Sequence, residues 1–159
     1  MTLQELQNTF FKPGIIEMVF VRPKRLDPVM PVQQVMALEN IGLEGDHYSH
    51  VGGDRQVTLI QAEHLVAIAS MLAVERVAPE LTRRNLVIRG INLLSLKGKR
   101  FKAGDAILEY SGECHPCSRM EKNLGPGAYN AMRGHGGISA KVISGGLIKI
   151  GDRVLVPSS

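Results

Sequence analysis

The sequence predicts a mainly β protein, a barrel carrying one or two helices. Three observations lead there. Most apolar runs are short and rich in β-branched residues, which fit a pleated surface. Glycines punctuate the intervals between those runs. Only one segment repeats its apolar residues at helical spacing over several turns. Many short strands with little helix bury their faces most readily by closing a sheet.

The elements follow in order. "MTLQELQNTF" reads as a short opening helix, after which Pro13-Gly14 turns the chain. "GIIEMVFVRP" is a strand that stops at Pro23. "PVQQVMALE" is a second strand, and "NIGLEGDHYSHVGGDR" is a long polar, glycine-rich loop. "QVTLIQ" is a third strand. "AEHLVAIASMLAVERV" is the clear helix, with Pro79 just past its end. "NLVIRG" is a strand, and "INLLSLKGKRF", "AILEYSG", "ISAKVIS" and "LIKIGDRVLVP" follow as strand-like segments. Gly145-Gly146 marks a hairpin. "KAGDAIL" (102–108) and "KIGDRVL" (149–155) share a strand, Gly-Asp turn, strand pattern; such turns are common enough that two copies do not establish duplication.

The 159 residues suit one domain with a real core, and no low-complexity spacer divides residues 1–159. The chain is 44% hydrophobic and 21% charged, ordinary for a soluble protein. The start has no basic region followed by an unbroken apolar run, so no signal peptide is expected. "LVAIASMLAV" is about half of what a bilayer needs, and Glu63 and Glu75 flank it. With only two cysteines, no disulfide scaffold is possible, and a reducing cytoplasm is expected. A net charge of +4 permits anionic ligands. Aromatics are only 4% and the basic residues are scattered, which argues against a nucleic-acid surface.

Both cysteines sit in "ECHPCSRME" (113–121) as Cys114-His115-Pro116-Cys117. A structural zinc site needs four ligands, usually from two pairs, and only one thiol pair is present. A thioredoxin-like dithiol matches the motif, but its usual βαβ surroundings are missing from this β-rich stretch. The third reading is a lone thiolate. A helix starting near Pro116 points free N–H groups towards Cys117, Arg119 adds positive charge, and a thiolate suits soft metal centres. The polar neighbours argue against an inert buried cysteine.

At this point the residues resemble a family. "GLEGD" (42–46), "DRQVTLIQAEHL" (54–65), "RRNLVIRGINLLSL" (83–96), "GDAILEYSGECHPCSRME" (104–121) and "GGISAKVISGGLIKIGDRV" (136–154) occur in the order of the MOSC domain, named for the C-terminal domain of molybdenum-cofactor sulfurase. Each stretch alone is weak; the ordered set over residues 42–154 is specific. The resemblance implies a barrel-like β fold and a cysteine that ligates molybdenum or carries sulfur. That cysteine maps to Cys117, which leaves Cys114 as a neighbour. It also implies molybdenum cofactor (molybdopterin) and an activity like that of amidoxime and N-hydroxyl reductases.

The cofactor carries a phosphate and a pterin. Arg84-Asn85 match the family's Arg-Asn pair before a strand, and Arg55 matches another recurrent basic position. Guanidinium can grip phosphate with two bonds, and an amide offers a donor and an acceptor to a pterin edge. Each arginine reads alternatively as a solvated charge or a local salt bridge, and Asn85 as a turn cap. Many members carry arginine after the Asp of "GLEGD"; this chain has His47 and then His50. His47 can donate to an anion in a pH-dependent way, act as an acid–base group, or be an ordinary loop histidine.

No G-x-G-x-x-G fingerprint is present, and two cysteines cannot hold an iron–sulfur cluster. Electrons for a reductase must therefore come from a separate protein. The leading expectation is a molybdenum-dependent oxidoreductase with Cys117 as metal ligand. The alternatives are a sulfur carrier or cofactor-delivery protein using a Cys117 persulfide, and a Cys114/Cys117 dithiol protein.

Overall fold

A computed structural model describes residues 1–158. Eleven strands build two sheets. They are β1 (Gly14–Val21), β2 (Met30–Val32), β3 (Gln34–Leu38), β4 (Gly42–Leu43), β5 (Val57–Gln61), β6 (Leu86–Arg89), β7 (Arg100–Ala103), β8 (Ala106–Glu113), β9 (Ile138–Ser144), β10 (Gly146–Lys149) and β11 (Arg153–Leu155). Seven of them close a ring in the order β1-β11-β7-β8-β9-β5-β6, and β6 pairs back to β1. β2 extends the far end of β1, while β10-β3-β4 form a small second sheet. Within the barrel β5 and β6 are parallel and every other pairing is antiparallel.

Period-2 patterning explains the layers. Val57 and Leu59, Leu86 and Ile88, and Val19 and Val21 point into the barrel with Phe101, Leu108 and Ile138. Their alternates Ile60, Val87 and Phe20 point outward and are buried by helices. An irregularity between Ile16 and Met18 resets the alternation, so Ile16 and Val19 both face inward. β5 and β6 are parallel, so a crossover must join them. It contains α2 (Ala62–Met71), which buries Leu65, Ile68 and Ala69 on the barrel wall. α3 (Ser118–Leu124) and α4 (Ala128–Met132) complete this layer through Met120, Ala131 and Met132.

The predicted barrel is present, with corrections. Counting α1 (Leu3–Gln7), there are four short α-helices rather than one or two. α1 begins with a capping box, in which Thr2 Oγ1 accepts from Glu5 N and Glu5 accepts from Thr2 N. The predicted helix over 62–77 ends at Met71. Ala73 takes a left-handed conformation (φ 55), and the reversal returns Val77 to the helix-side core. "PVQQVMALE" is two strands in two sheets, parted at Gln33. "INLLSLKGKRF" opens with a 3-10 turn over Leu93–Leu96 before β7.

Gly145-Gly146 does not make a hairpin. β9 pairs with β8 and β5, whereas β10 pairs with β3. Neither glycine has a positive φ, which a two-residue hairpin turn would need. They are small because a Cβ on Gly145 would lie 2.8 Å from Ala37 O, and one on Gly146 would lie 2.6 Å from the Asp105 backbone. The two Gly-Asp turns are real and adjacent. Gly104 (φ 59) turns β7 into β8, and Gly151 (φ 92) turns β10 towards β11.

Candidate cofactor site

The ends of three adjacent strands bring the basic residues together. β5 and β6 start side by side because they are parallel, so Arg55 and Arg84 lie just before neighbouring strands. β1 runs antiparallel to β6 and therefore ends there, followed by Arg22.

Asp46, the acid of "GLEGD", ties this end together. Its Oδ1 accepts from Arg22 N (2.8 Å) and Asn85 Nδ2 (3.2 Å), and its Oδ2 accepts from Tyr48 N (3.3 Å). His47 N donates to Arg22 O (2.7 Å), which completes the clasp between the loop and β1. Asn85 is buried and its amide is spent on the protein. Its Oδ1 accepts from Thr58 N and Thr58 Oγ1, and its Nδ2 donates to Phe20 O and Asp46. Asn85 thus braces β1, β5 and the loop, with no free amide group for a pterin edge.

The clasp positions Tyr48. The Arg22 guanidinium lies 5.2 Å and the Arg55 guanidinium 5.4 Å from its ring centroid, both within cation–π range. The His47 ring is 5.4 Å away. Arg22 is itself buried, at 8% exposure. Arg55 Nε is buried with no hydrogen-bond partner.

Arg83 and Arg84 are adjacent in sequence but turn apart. Arg83 sits at φ 60, an unusual backbone for a non-glycine residue and one found where surrounding structure enforces it. It donates through Nη2 to Arg25 O and Asp27 O, both at 3.1 Å. Arg84 is 4% exposed and donates from Nε to Gly136 O (2.8 Å) and from Nη1 to Thr82 O (3.2 Å). Burial holds both guanidiniums below their ordinary pKa. Arg22 and Arg119 reinforce the shift on Arg83, while Tyr48 and Cys117 oppose it. On Arg84, Cys114 opposes most strongly, Arg55 reinforces, and Cys117 and Tyr48 oppose.

Cys117 caps α3 without a side-chain hydrogen bond, and it is exposed. Cys114 is buried, at 4% exposure. Close approach of other backbone holds this segment in place. Cys114 N donates to Gly137 O (2.8 Å), and a Cβ on Gly136 would overlap Cys114 O. Asn123 Nδ2 donates to Leu81 O (2.9 Å), which ties α3 to the 3-10 turn (Pro79–Thr82) ahead of Arg83. Glu121 accepts from Gly127 N (3.0 Å) and Tyr129 N (2.9 Å). Those bonds hold its carboxyl below the usual range.

Arg22, Arg55, Arg83, Arg84 and Arg119 form none of the salt bridges found among the described residues, which are Arg89–Glu17, Arg100–Glu109 and Lys141–Asp54. Uncompensated guanidiniums beside an exposed thiol suit an anion with a soft centre. Among the described residues no group of three or more His, Cys, Asp or Glu side chains is placed to hold a metal ion. A groove of about 470 Å³ between α2 and the wall at Met18 and Val87 is lined by none of the site residues.

Of the predicted positions, His47 and Arg55 lie against Tyr48, the charges of Cys117 and Tyr48 act on the buried Arg84, Arg119 follows Cys117 on α3, and the Asn85 amide is spent inside the fold. Sequence reasoning missed Tyr48, Arg22 and Arg83. Arg22 reads only as the end of a strand before proline. Arg83 carries a signal, since two consecutive arginines before a buried strand are costly unless both have a use.

The fold and site define a closed β-barrel with an exposed thiol, Cys117, and several buried or ring-stacked arginines at the same end. The chain belongs to the MOSC domain family, whose model matches residues 46–155. The fold is shared with the YuaD protein of Bacillus subtilis, at a TM-score of 0.78 and 21% identity over 90% of this chain and 94% of that one. It is shared too with YiiM of Geobacillus stearothermophilus (TM-score 0.74, 20% identity, 92% and 76% covered). YiiM of Escherichia coli is similar as well (0.69, 22%, 91% and 70%). No protein of curated function matches the chain.

Proposed function

We propose that the chain binds molybdenum cofactor and reduces N-hydroxylated compounds, with Cys117 as the protein ligand to the metal. The observation that carries this reading is an exposed thiol, free of capping bonds, among five arginines that lack carboxylate partners. The donor set fits the group. Arg55 Nε is a buried donor awaiting an acceptor, and Arg84 is a buried cation without a counterion, so together they suit the cofactor phosphate. When bound, the cofactor supplies a metal that cycles by two electrons and accepts an oxygen atom.

The chain's own residues then have defined tasks. Cys117 offers its sulfur from the start of α3. Asp46 and Asn85 hold Tyr48 and the strand ends in register. Arg119 and His47 lie at the exposed rim. Electrons come from a separate protein. Among the described residues no helix is long and apolar enough to cross a membrane, and two free thiols suit a reducing, cytoplasmic setting.

The exposure of Cys117 also favours a second reading, a persulfide carrier or cofactor-delivery protein, because a sulfur donor could reach the thiol. A dithiol protein is a poorer fit, since Cys114 is buried and held by its backbone.

Elemental analysis decides. The protein is purified without chelators from a host that makes molybdenum cofactor, beside Cys117→Ala and Cys114→Ser. Near-stoichiometric molybdenum, lost in Cys117→Ala and kept in Cys114→Ser, is expected. Folded protein without molybdenum, carrying a persulfide on Cys117 by mass spectrometry, would move the assignment to sulfur transfer. Loss in both variants would overturn the role given to Cys117.

A further inference from the structure

The stretch just ahead of β9 reads Gly134-His135-Gly136-Gly137, so His135 carries its only side chain. What that side chain touches decides how the stretch is set. Its ring meets the His64 ring of α2, with centroids 4.7 Å apart and planes at 59°, a tilted aromatic contact. His135 N donates to Met132 O (2.7 Å), and His135 Nδ1 is buried without a hydrogen-bond partner.

Two carbonyls of this stretch hold parts of the candidate site. Gly136 O accepts from Arg84 Nε (2.8 Å), and Gly137 O accepts from Cys114 N (2.8 Å). The packing leaves no slack. A Cβ on Gly136 would overlap Cys114 O, and one on Gly137 would overlap Leu59 O. Gly134 (φ 79) and Gly137 (φ 90) are left-handed, so two glycine pivots bracket His135 and Gly136. α2 follows β5 directly, and β5 lies beside β6, which Arg84 precedes. His64 therefore stands on a fixed neighbour of Arg84, and the stretch leans on it through His135.

The contact suits neutral rings. Burial first, and His135 second, hold His64 below its ordinary pKa against a weaker pull from Glu63. An imidazolium donates from both nitrogens. A protonated His135 in this place would carry a buried Nδ1–H with no acceptor, and two charged rings at this spacing repel. Of the surrounding groups, Glu63 on α2 spends Oε2 on Gly90 N (2.8 Å). β5 brings no titratable side chain. β6 brings Arg89, paired with Glu17, and Lys141 of β9 is paired with Asp54. The segment that ends β8 and follows it brings Glu113, Cys114 and His115, of which only Cys114 is buried. Tyr129 of α4 and Arg133 after it are exposed.

We infer that His135 is a positioning residue: its contact with His64 sets the Gly136 and Gly137 carbonyls, and with them the Arg84 guanidinium and the Cys114 backbone, and protonation of the ring pair releases both. The positioning stands on the contacts above. Its service to the cofactor rests on the proposed function.

The test uses cofactor-free protein. Hydrogen exchange of Arg84 Nε–Hε and Cys114 N–H is followed by NMR from pH 7.5 to 5 and expressed as protection factors, which divide out the intrinsic pH dependence. Both are expected to fall at least tenfold, in step with the histidine ring Hε1 shifts. Amides of β7 and β11, each three strands from β5 around the barrel, should stay within twofold. His135→Ala should show the low protection already at pH 7.5. His135→Phe keeps a ring against His64 without a proton to gain, so it should restore protection and hold it flat to pH 5. His64→Ala, which leaves the glycine stretch untouched, is the second variant and should match His135→Ala. Unchanged protection while the rings titrate, a fall in His135→Phe as large as in the natural protein, or equal loss in β7 and β11 would overturn the inference.

Molybdenum content then tests the link to the cofactor. Purified from a host that makes molybdenum cofactor, His135→Ala should carry at least threefold less molybdenum than His135→Phe. Equal contents beside the exchange changes would overturn that link and leave the positioning standing. A natural protein without molybdenum would refute the cofactor reading, and the exchange results would still decide the role of His135.

Discussion

Replacing Asp46 tests whether the site is held together by this one buried carboxylate. Asp46→Ala removes the acceptor for Arg22 N, Tyr48 N and Asn85 Nδ2. A buried donor left unsatisfied costs about 1–3 kcal/mol. The Arg22 and Asn85 donors are buried, so they carry most of the loss. Tyr48 N bonds at 3.3 Å in a partly exposed setting and recovers water. The expected cost is therefore about 2–4 kcal/mol. With a urea m-value of about 2 kcal/mol/M, the unfolding midpoint falls by about 1–2 M. Asp46→Asn keeps an oxygen for Arg22 N and Asn85 Nδ2 and disturbs chiefly the Tyr48 bond, so it should cost about 1 kcal/mol. Urea unfolding followed by circular dichroism compares the three proteins. Equal losses in the two variants, or a loss under about 1 kcal/mol in Asp46→Ala, would refute the clasp.

Further predictions concern the helices and the cysteine segment. Gly136→Ala should destabilise the protein by about 1–3 kcal/mol, because the new methyl meets the Cys114 carbonyl; thermal unfolding reads the loss. The Glu121 carboxyl is held below its ordinary 4.5 by bonds from Tyr129 N and Gly127 N, so α3 anchoring is present above that pH and is lost as pH falls through the lower folded value. The Gly127 and Tyr129 amide resonances should titrate below pH 4.5 and stop doing so in Glu121→Gln. His64 is shifted down from 6.5, first by burial and then by His135, whose ring centroid is 4.7 Å away. The unfolded chain then binds more protons, so stability falls as pH drops through 6.5, and His64→Gln should flatten a denaturation series from pH 7 to 5.

Much of the barrel was legible because its strands answer to local rules. "QVTLIQ" and "NLVIRG" are short, β-branched and bounded by polar residues, and each became a strand close to where it was expected. The errors arose where tertiary pairing overrode local pattern. Nothing around Gln33 shows that Met30–Val32 pairs with β1 and Gln34–Leu38 with β10, since both halves are extended. Gly145-Gly146 carries the composition of a turn but the function of a spacer.

The site was legible in part for a related reason. Cys117 and Arg84 announce themselves by residue type and context. Tyr48 and Arg22 do not, because their meeting depends on the Asp46 clasp between the end of β1 and a distant loop. Asn85 was expected to face a ligand, and its polarity is spent inside the fold.

The pairing of β1 with β11 has a consequence for the order of biogenesis. Gly14 meets Val154 and Ile15 meets Arg153, so the barrel's first strand waits for its last. A ribosome-bound chain can assemble β6, β5, β9 and β8, and with them the segment that carries Cys117, while the barrel is still an open, curled sheet. Until residues 153–155 emerge, the beginning of β1 and the outer side of β7 present unpaired backbone, the kind of edge that recruits other chains. Deleting those three residues would leave both cysteines and the arginines near Tyr48 in place and still produce a protein prone to self-association through that seam.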